Sequence, residues 1–399
     1  MLTEMKHVVM LVLAILLVSG LVGAFFLRSY VWSDNIPAQD PLPSLFVGVD
    51  IPYANLTAVE SRIDQVSPFA NLIVIGCTNV TYDPVKLSIV CQYIYDRNMY
   101  FQVYSEGPVN RQWVTDALSK WGNHFLGLYV WDEPGGKQID LTRDQAILNS
   151  TNPFNSPASQ ISNYSDAEKW FESILNMGLT RSSNYGSVTL PVSTSDYALY
   201  WFDYKAGYDT LYAELGWNYS RAINVDSVRG AATVQNKTWG AMITWTYTQP
   251  PYIESGPKLY ADMKYAYDNG AKYIIVFDSN ANWTEGILQP EHIEAMQQFW
   301  NYAKNNPQTE KSAADKVGYV LPNSYAIGFR GYVSENVSVD KIWGLFSADS
   351  LTMPICIDLN NAINQYGNNL DIIYDDPAFP NYASTYGQLI FWNGTTISR

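Results

Sequence analysis

Carboxylate residues recur at the ends of short apolar runs, and the clearest case is the segment GLYVWDEPGGK at residues 127–137. Apolar and aromatic residues lead into Asp132 and Glu133, and a Pro-Gly-Gly tripeptide follows. Glu214 ends another such run in YAELGWN. Two carboxyl groups can hydrolyse a glycosidic bond, because one protonates the leaving oxygen while the other acts as nucleophile or activates water. A solvated strand end is the alternative for each carboxylate.

Further candidates combine a polar or aromatic side chain with a position at or just after an apolar run. Aromatic rings bind the apolar faces of sugars and keep a site dry, which raises the pKa of a catalytic acid. The candidates for substrate binding are Asp50, Asp132, Trp217, Trp245, Tyr247, Asp278 and Trp283. Because side chains alternate along a strand, we expect only one of Asp132 and Glu133 to face the site. We assign Glu133 and Glu214 as the catalytic pair, with Asp278 in reserve or as the cap of a turn.

The elements that must position these residues follow from the spacing of the apolar runs. Eight runs of strand length begin at Leu45, Asn71, Tyr100, Phe125, Ser187, Tyr208, Trp239 and Lys272. Most are followed by a stretch of helical periodicity, which is typical of a (β/α)8 TIM barrel with its site at the carboxyl ends of the strands. We predict such a barrel over residues 45–305. Residues 140–183 are then a long insertion, with a helix that has Ser165 as its N-cap.

A second module follows the barrel. The polar connector 306–316 leads into a pattern of strand, helix and strand within residues 317–399. This pattern predicts a small C-terminal α/β domain. No glycine fingerprint follows its first strand, so a nucleotide-binding domain is not expected.

The N-terminus contains an uncharged apolar segment, residues 8–27, which is long enough to span a bilayer. We interpret it as an uncleaved signal anchor within residues 1–28, followed by a linker over residues 29–44. Cleavage after Ala24 is the alternative. Nine Asn-x-Ser/Thr sequons follow, at Asn55, Asn79, Asn149, Asn163, Asn218, Asn236, Asn282, Asn336 and Asn393. They predict a single-pass glycoprotein of the cell membrane whose globular part is extracellular.

Charge and motif content exclude several classes of function. The formal net charge of -14 argues against a nucleic-acid partner, which requires basic patches. The sequence has no HExxH, no paired Cys/His spacing and no GxSxG motif, so we expect neither a metal nor another cofactor. Cys77 and Cys91 either form a disulfide in an oxidising compartment or remain buried free thiols.

Three stretches carry a family resemblance: YVWDEPGGK, the block from YAELGWN to TYTQPPY, and the tail pattern of VLP, DKIWGLF and LDIIYDD. Over residues 45–376 the chain resembles uncharacterised archaeal cell-surface proteins with a glycoside-hydrolase-like (β/α)8 barrel. Many retaining glycosidases of this fold pair an acidic residue on strand four with one on strand seven, where this chain has Trp245 and Tyr247. Barrels similar to α-galactosidases pair strand four with strand six, as Glu133 and Glu214 would. In that arrangement the strand-four group is the nucleophile and the strand-six group the acid/base.

The sequence thus predicts an anchored extracellular protein that cleaves the glycosidic bonds of a polysaccharide with Glu133 and Glu214. A non-catalytic carbohydrate-binding or structural glycoprotein of the cell envelope is the alternative, and a surface solute-binding or sensor domain is a weaker one. The first two differ in whether two carboxylates converge in one open cavity.

Overall fold

The computed structural model describes residues 41–140, 161–309, 311–329 and 341–399. Within this part, Pro43–Arg399 form one compact unit. No helix of the described part is long and apolar enough to cross a membrane. The predicted anchor, residues 8–27, and nearly all of the predicted linker lie outside the described residues.

Eight parallel strands form a closed barrel in chain order, and each overlaps one of the eight predicted apolar runs. The ring closes where the first strand pairs with the eighth, with Asp50 opposite Phe277. The strands are β1 Phe46–Asp50, β2 Leu72–Ile75, β3 Tyr100–Ser105, β4 Phe125–Val130, β5 Val192–Asp196, β6 Thr210–Leu215, β7 Thr238–Ile243 and β8 Tyr273–Phe277. This confirms the predicted barrel.

Helices connect the strands on the outside of the barrel. They are α1 Leu56–Val66, α2 Thr78–Thr81, α3 Pro84–Tyr95, α4 Arg111–Trp121, α5 Pro134–Asp140, α6 Tyr164–Ser183, α7 Tyr200–Ala206, α8 Arg221–Gln235, α9 Gly256–Asp268 and α10 Pro290–Asn305. Asn163, and not Ser165 as predicted, is the N-cap of α6, because the Asn163 side chain accepts the backbone N–H of Asp166. Ser220 caps α8 in the same way, through the N–H of Ile223.

Alternation along the strands sorts the buried side chains into two sets. One set lies between the strands and the helices, as Val47 and Val49 do on β1. The other set fills the barrel interior and includes Phe46, Leu72, Tyr129, Tyr212, Met242 and Tyr273. Both faces of each strand are therefore buried, which explains the nearly continuous apolar runs in the sequence.

A second sheet follows the barrel, with the strand order β10-β9-β11-β12. Its elements are β9 Val317–Leu321, α11 Thr352–Tyr366, β10 Leu370–Tyr374, β11 Gln388–Phe391 and β12 Thr396–Ser398. It packs against α8, where a Cβ atom on Gly230 would lie 2.4 Å from the carbonyl oxygen of Ile372. The Arg229–Asp371 ion pair, at 2.6 Å, joins the same two elements.

Candidate active site

A cavity of about 1010 Å³ opens at the carboxyl ends of the barrel strands. Its charged lining consists of five acidic residues and one basic residue, Lys137. The acidic residues are Asp50, Glu106, Asp132, Glu133 and Glu214. Two carboxylates therefore do converge in one open cavity, together with three more.

Glu133 and Glu214 both line this cavity, where each carboxyl group influences the ionisation of the other. Burial, and then the neighbouring Asp132 carboxylate, raises the pKa of Glu133 to about 7. Burial and the Glu133 carboxylate raise the pKa of Glu214 well above its usual range. Burial therefore favours the neutral, protonated form of both carboxyl groups.

Asp132 also lines the cavity, so the expectation that only one of Asp132 and Glu133 faces it is wrong. The alternation rule does not apply because β4 ends at Val130, before either residue. Instead, Asp132 and Glu133 lie in a turn in which Trp131 and Glu133 have left-handed backbone conformations, with φ of +51° and +54°. The N–H of Glu133 donates to the carbonyl oxygen of Ser195 at 3.1 Å and holds this turn.

Two hydroxyl groups that sequence reasoning missed connect the acids. Ser195 Oγ lies 2.7 Å from Glu214 Oε1 and 3.2 Å from Asp132 Oδ1. The Tyr129 hydroxyl lies 2.6 Å from Asp132 Oδ1 and 2.8 Å from Ser195 Oγ. The sequence could have indicated Ser195, because the alternation of side chains along β5 and β6 places Ser195 and Glu214 on the inner face of the barrel.

Lys137 is a third missed residue, one turn after Glu133 on α5. Its Nζ lies 3.6 Å from Glu133 Oε2 and 3.8 Å from Asp132 Oδ2. Burial disfavours the Lys137 charge, but the carboxylates of Asp132 and Glu133 outweigh this effect and raise its pKa. The i,i+4 spacing of Glu133 and Lys137 was the signal in the sequence.

The Pro-Gly-Gly tripeptide begins α5. The buried Asp196 carboxylate accepts the N–H groups of Gly135 and Gly136, at 2.6 and 2.7 Å, and so holds the helix start. It also accepts the N–H groups of Tyr197 and Ala198. Burial raises the Asp196 pKa to about 6 against these hydrogen bonds. Asp196 thus fixes the segment that carries Glu133.

Aromatic side chains form one wall of the cavity. Trp245 and Trp283 are stacked, with ring centroids 6.0 Å apart, and Trp217 contacts Trp245 edge-on at 6.5 Å. Tyr247, which follows the end of β7 at Ile243, is not part of this wall. It lines a neighbouring depression of about 550 Å³, which shares Trp217 with the cavity.

Asp278 does not line the cavity, which corrects the prediction that it binds substrate. Its carboxylate is fully buried and forms an ion pair with Arg62 at 2.7 Å. It also accepts the N–H groups of Ile287 and Leu288 at 2.6 and 3.0 Å. Asp278 therefore ties down the loop after β8, which fits the alternative of a turn cap.

Sequon asparagines lie at the mouth of the cavity. Asn55, Asn79 and Asn282 line it, and all three are exposed. Asn149 and Asn336 fall outside the described residues.

The possible metal ligands and the cysteines bear on two of the expectations from the sequence. Among residues 41–140, 161–309, 311–329 and 341–399, no group of three or more His, Cys, Asp or Glu side chains is placed to hold a metal ion. Cys77, Cys91 and Cys356 are buried free thiols, which decides between the two alternatives for the first two.

Several solved structures are similar in fold. GH5_18 from Streptomyces cattleya, in complex with GlcNAc, matches with a TM-score of 0.52 and 10% identity, covering 89% of this chain and 100% of that one. A GH5_18 variant from Bifidobacterium longum subsp. longum, in complex with Manb1-4GlcNAc, matches with a TM-score of 0.51 and 12% identity, covering 89% and 97%. A beta-galactosidase from the Antarctic haloarchaeon Halorubrum lacusprofundi matches with a TM-score of 0.52 and 10% identity, covering 87% and 69%.

No family model and no curated protein matches this sequence. At identities of 10 to 12% the likeness concerns the fold alone. The chain thus has a glycoside-hydrolase-like (β/α)8 barrel with a second, smaller sheet.

Proposed function

We propose that this protein is a glycoside hydrolase whose catalytic pair is Glu133 and Glu214. The observation that carries the proposal is the convergence of these two carboxyl groups, both with raised pKa values, in one open, aromatic-walled cavity. Hydrolysis needs one carboxylic acid and one carboxylate within reach of the same bond, and a buried carboxyl group beside a less buried one supplies both.

The surroundings of the two groups assign their roles. Glu214 is only 4% exposed, so it is the better holder of the proton and acts as the general acid toward the leaving oxygen. The Lys137 ammonium stabilises the carboxylate of Glu133, which attacks the anomeric carbon or activates water. Ser195 holds both groups in place, because its Oγ bonds to Glu214 Oε1 and its carbonyl oxygen accepts the N–H of Glu133.

The separation of the two carboxyl groups in a substrate complex predicts the stereochemical outcome. Retaining glycosidases have carboxyl groups about 5–5.5 Å apart, and inverting ones about 6.5–9.5 Å. The second candidate function is carbohydrate binding without catalysis, and the tryptophan wall of the cavity favours it.

Hydrolysis of a glycan panel by the purified full-length chain tests the proposal. The expected result is release of reducing ends from at least one glycan. Binding without any release would favour the non-catalytic alternative.

The pH dependence of hydrolysis follows from the raised pKa of Glu133, about 7. Below this pH Glu133 is protonated and cannot act as nucleophile or base, so the rate falls as the pH drops through about 7. Lys137→Met removes a cation that favours the Glu133 carboxylate, so we expect this acidic limb to move up by about one pH unit. The pH profiles of kcat/KM of both proteins measure this, and identical limbs would contradict it.

The tryptophan wall predicts a separate effect on binding. Trp283 is half exposed and stacks on Trp245, so Trp283→Ala removes a sugar platform without touching the acids. We expect KM to rise about tenfold with kcat nearly unchanged. Tyr247→Ala is the matched control, because Tyr247 lies outside the cavity, and its KM for short oligosaccharides should not change.

We also propose that the protein is anchored in the cell membrane by residues 8–27, with its globular part extracellular. The apolar segment and the nine sequons support this location. All seven sequon asparagines in the described residues are exposed, as glycosylation requires. A mobility shift of the native protein after enzymatic deglycosylation, and its digestion by protease on intact cells, are the expected results.

A further inference from the structure

Asp50 is a buried acid, and its contacts within the protein do not account for the burial of its carboxyl group. It ends β1 at the base of the cavity and is 5% exposed. Its Oδ1 atom is buried and has no hydrogen-bond partner among the described residues. A buried polar atom without a partner destabilises a protein by about 1–3 kcal/mol, so such an atom at a cavity wall indicates a ligand that completes it.

The chain keeps room for this carboxyl group. Gly76, at the end of the neighbouring β2, also lines the cavity. A Cβ atom at Gly76 would lie 2.2 Å from Asp50 Oδ1, which is far inside van der Waals contact. Glycine at this position therefore leaves the space that the Asp50 carboxyl occupies.

The charges around Asp50 are predominantly negative. Burial raises its pKa well above the usual range, and the carboxylates of Asp132 and Asp278 add to this. The cavity holds five acidic side chains against Lys137, which is already paired with Asp132 and Glu133. A cavity of this composition repels anions and accepts neutral or cationic groups.

We propose that Asp50 is a substrate-binding residue whose Oδ1 accepts a hydrogen bond from an O–H or N–H group of the sugar, and that the substrate glycan is uncharged or amine-bearing and not acidic. This inference rests on the proposed function, since it concerns the same cavity. A neutral sugar supplies a hydroxyl donor and an amino sugar supplies an ammonium donor.

The test uses the full chain and three oligosaccharides that share a β-1,4-linked gluco backbone: cellohexaose, the glucosamine hexamer and the glucuronic acid hexamer. An array of other neutral, amine-bearing and uronic-acid glycans extends the test to other sugars. Binding is measured for the wild type, Asp50→Leu and Asp50→Asn. Glu106→Gln is the matched control, because Glu106 is an exposed acid of the same cavity.

We expect the wild type to bind neutral or amine-bearing glycans and not acidic ones. Asp50→Leu should weaken binding about 10- to 100-fold, whereas Glu106→Gln should change it less than threefold. Asp50→Asn keeps an acceptor oxygen: it should restore binding of a neutral glycan but not of an amine-bearing one. This difference distinguishes the hydroxyl donor from the ammonium donor.

The stability of the variants separates a binding role from a structural one. Asp50→Leu removes an unpartnered oxygen and its repulsion by two acids, so the melting temperature without ligand should stay the same or rise. Asp278→Leu, which loses four partners, should lower it. A melting temperature that falls equally in both variants would make Asp50 structural.

The outcomes distinguish this inference from the proposed function. Preferred binding of acidic glycans, or unchanged binding in Asp50→Leu, overturns the inference, and hydrolysis that depends on Glu133 and Glu214 would still stand. Binding that depends on Asp50 without hydrolysis upholds the inference and overturns catalysis. No binding of any glycan overturns both.

Discussion

Glu214→Gln lowers kcat on the glycan that the wild type cleaves by about 10³- to 10⁴-fold, because the amide cannot supply the proton to the leaving oxygen. The effect should be large since Glu214 is buried and is the group assigned as the proton donor. Glu133→Gln should lose a similar factor, as the nucleophile or base is then missing. Reducing-end release under substrate saturation measures both.

Glu106→Gln is the control for charge. It removes one negative charge from the same cavity, and we expect less than a threefold change in kcat. Wild-type activity in both Glu133→Gln and Glu214→Gln would refute the catalytic pair. A large loss in Asp132→Asn together with activity in Glu133→Gln would instead transfer the strand-four role to Asp132, which Ser195 also links to Glu214.

Asp196→Ala has the largest expected effect on stability. It removes the acceptor of four backbone N–H groups, two of them at the start of α5, and leaves these donors buried. We expect the free energy of unfolding to fall by about 3–5 kcal/mol. Activity should fall as well, because the turn that carries Glu133 loses its support.

Asp83→Ala is the matched control. Asp83 caps α3 on the surface, where its carboxylate accepts the N–H groups of Val85 and Lys86, both at 3.1 Å. Its loss should destabilise the protein by about 1 kcal/mol without affecting activity. Urea unfolding of the two variants gives the comparison, and equal effects would show that Asp196 is an ordinary helix cap.

The barrel could be predicted because each strand is buried on both faces and therefore appears as an apolar run. Glu214 could be predicted because β6 is regular: Tyr212 fills the interior and Glu214 follows it on the same face. Side chains beyond the end of a strand no longer alternate in this way, so the prediction that Tyr247 lies in the cavity was wrong. Asp278 was also misplaced, because the sequence does not show that Arg62 and the loop after β8 occupy its carboxylate.

The strand-four segment was the hardest to predict, for a local reason. β4 contains a bulge, since Phe101 pairs with Phe125 but Val103 pairs with Leu128. Gly127 lies in it with a φ of +113°. One extra residue reverses the alternation that follows, and the left-handed backbone at Trp131 and Glu133 then aims two adjacent acids at one cavity. The bulge, the conformation of Gly127 and the left-handed backbone at Trp131 and Glu133 leave no pattern of hydrophobic residues in the sequence that would predict them.

The sequons at the rim have a consequence for how any enzyme preparation is compared with the native protein. Asn55, Asn79 and Asn282 follow three different barrel strands, β1, β2 and β8, around one opening. A glycan on each of these asparagines would restrict access to that opening sterically, and would admit a chain end more readily than the middle of a long polymer. Protein made in a host without N-glycosylation lacks this restriction. Its range of accepted chain lengths would then be wider than that of the glycosylated form, although the catalytic residues are identical.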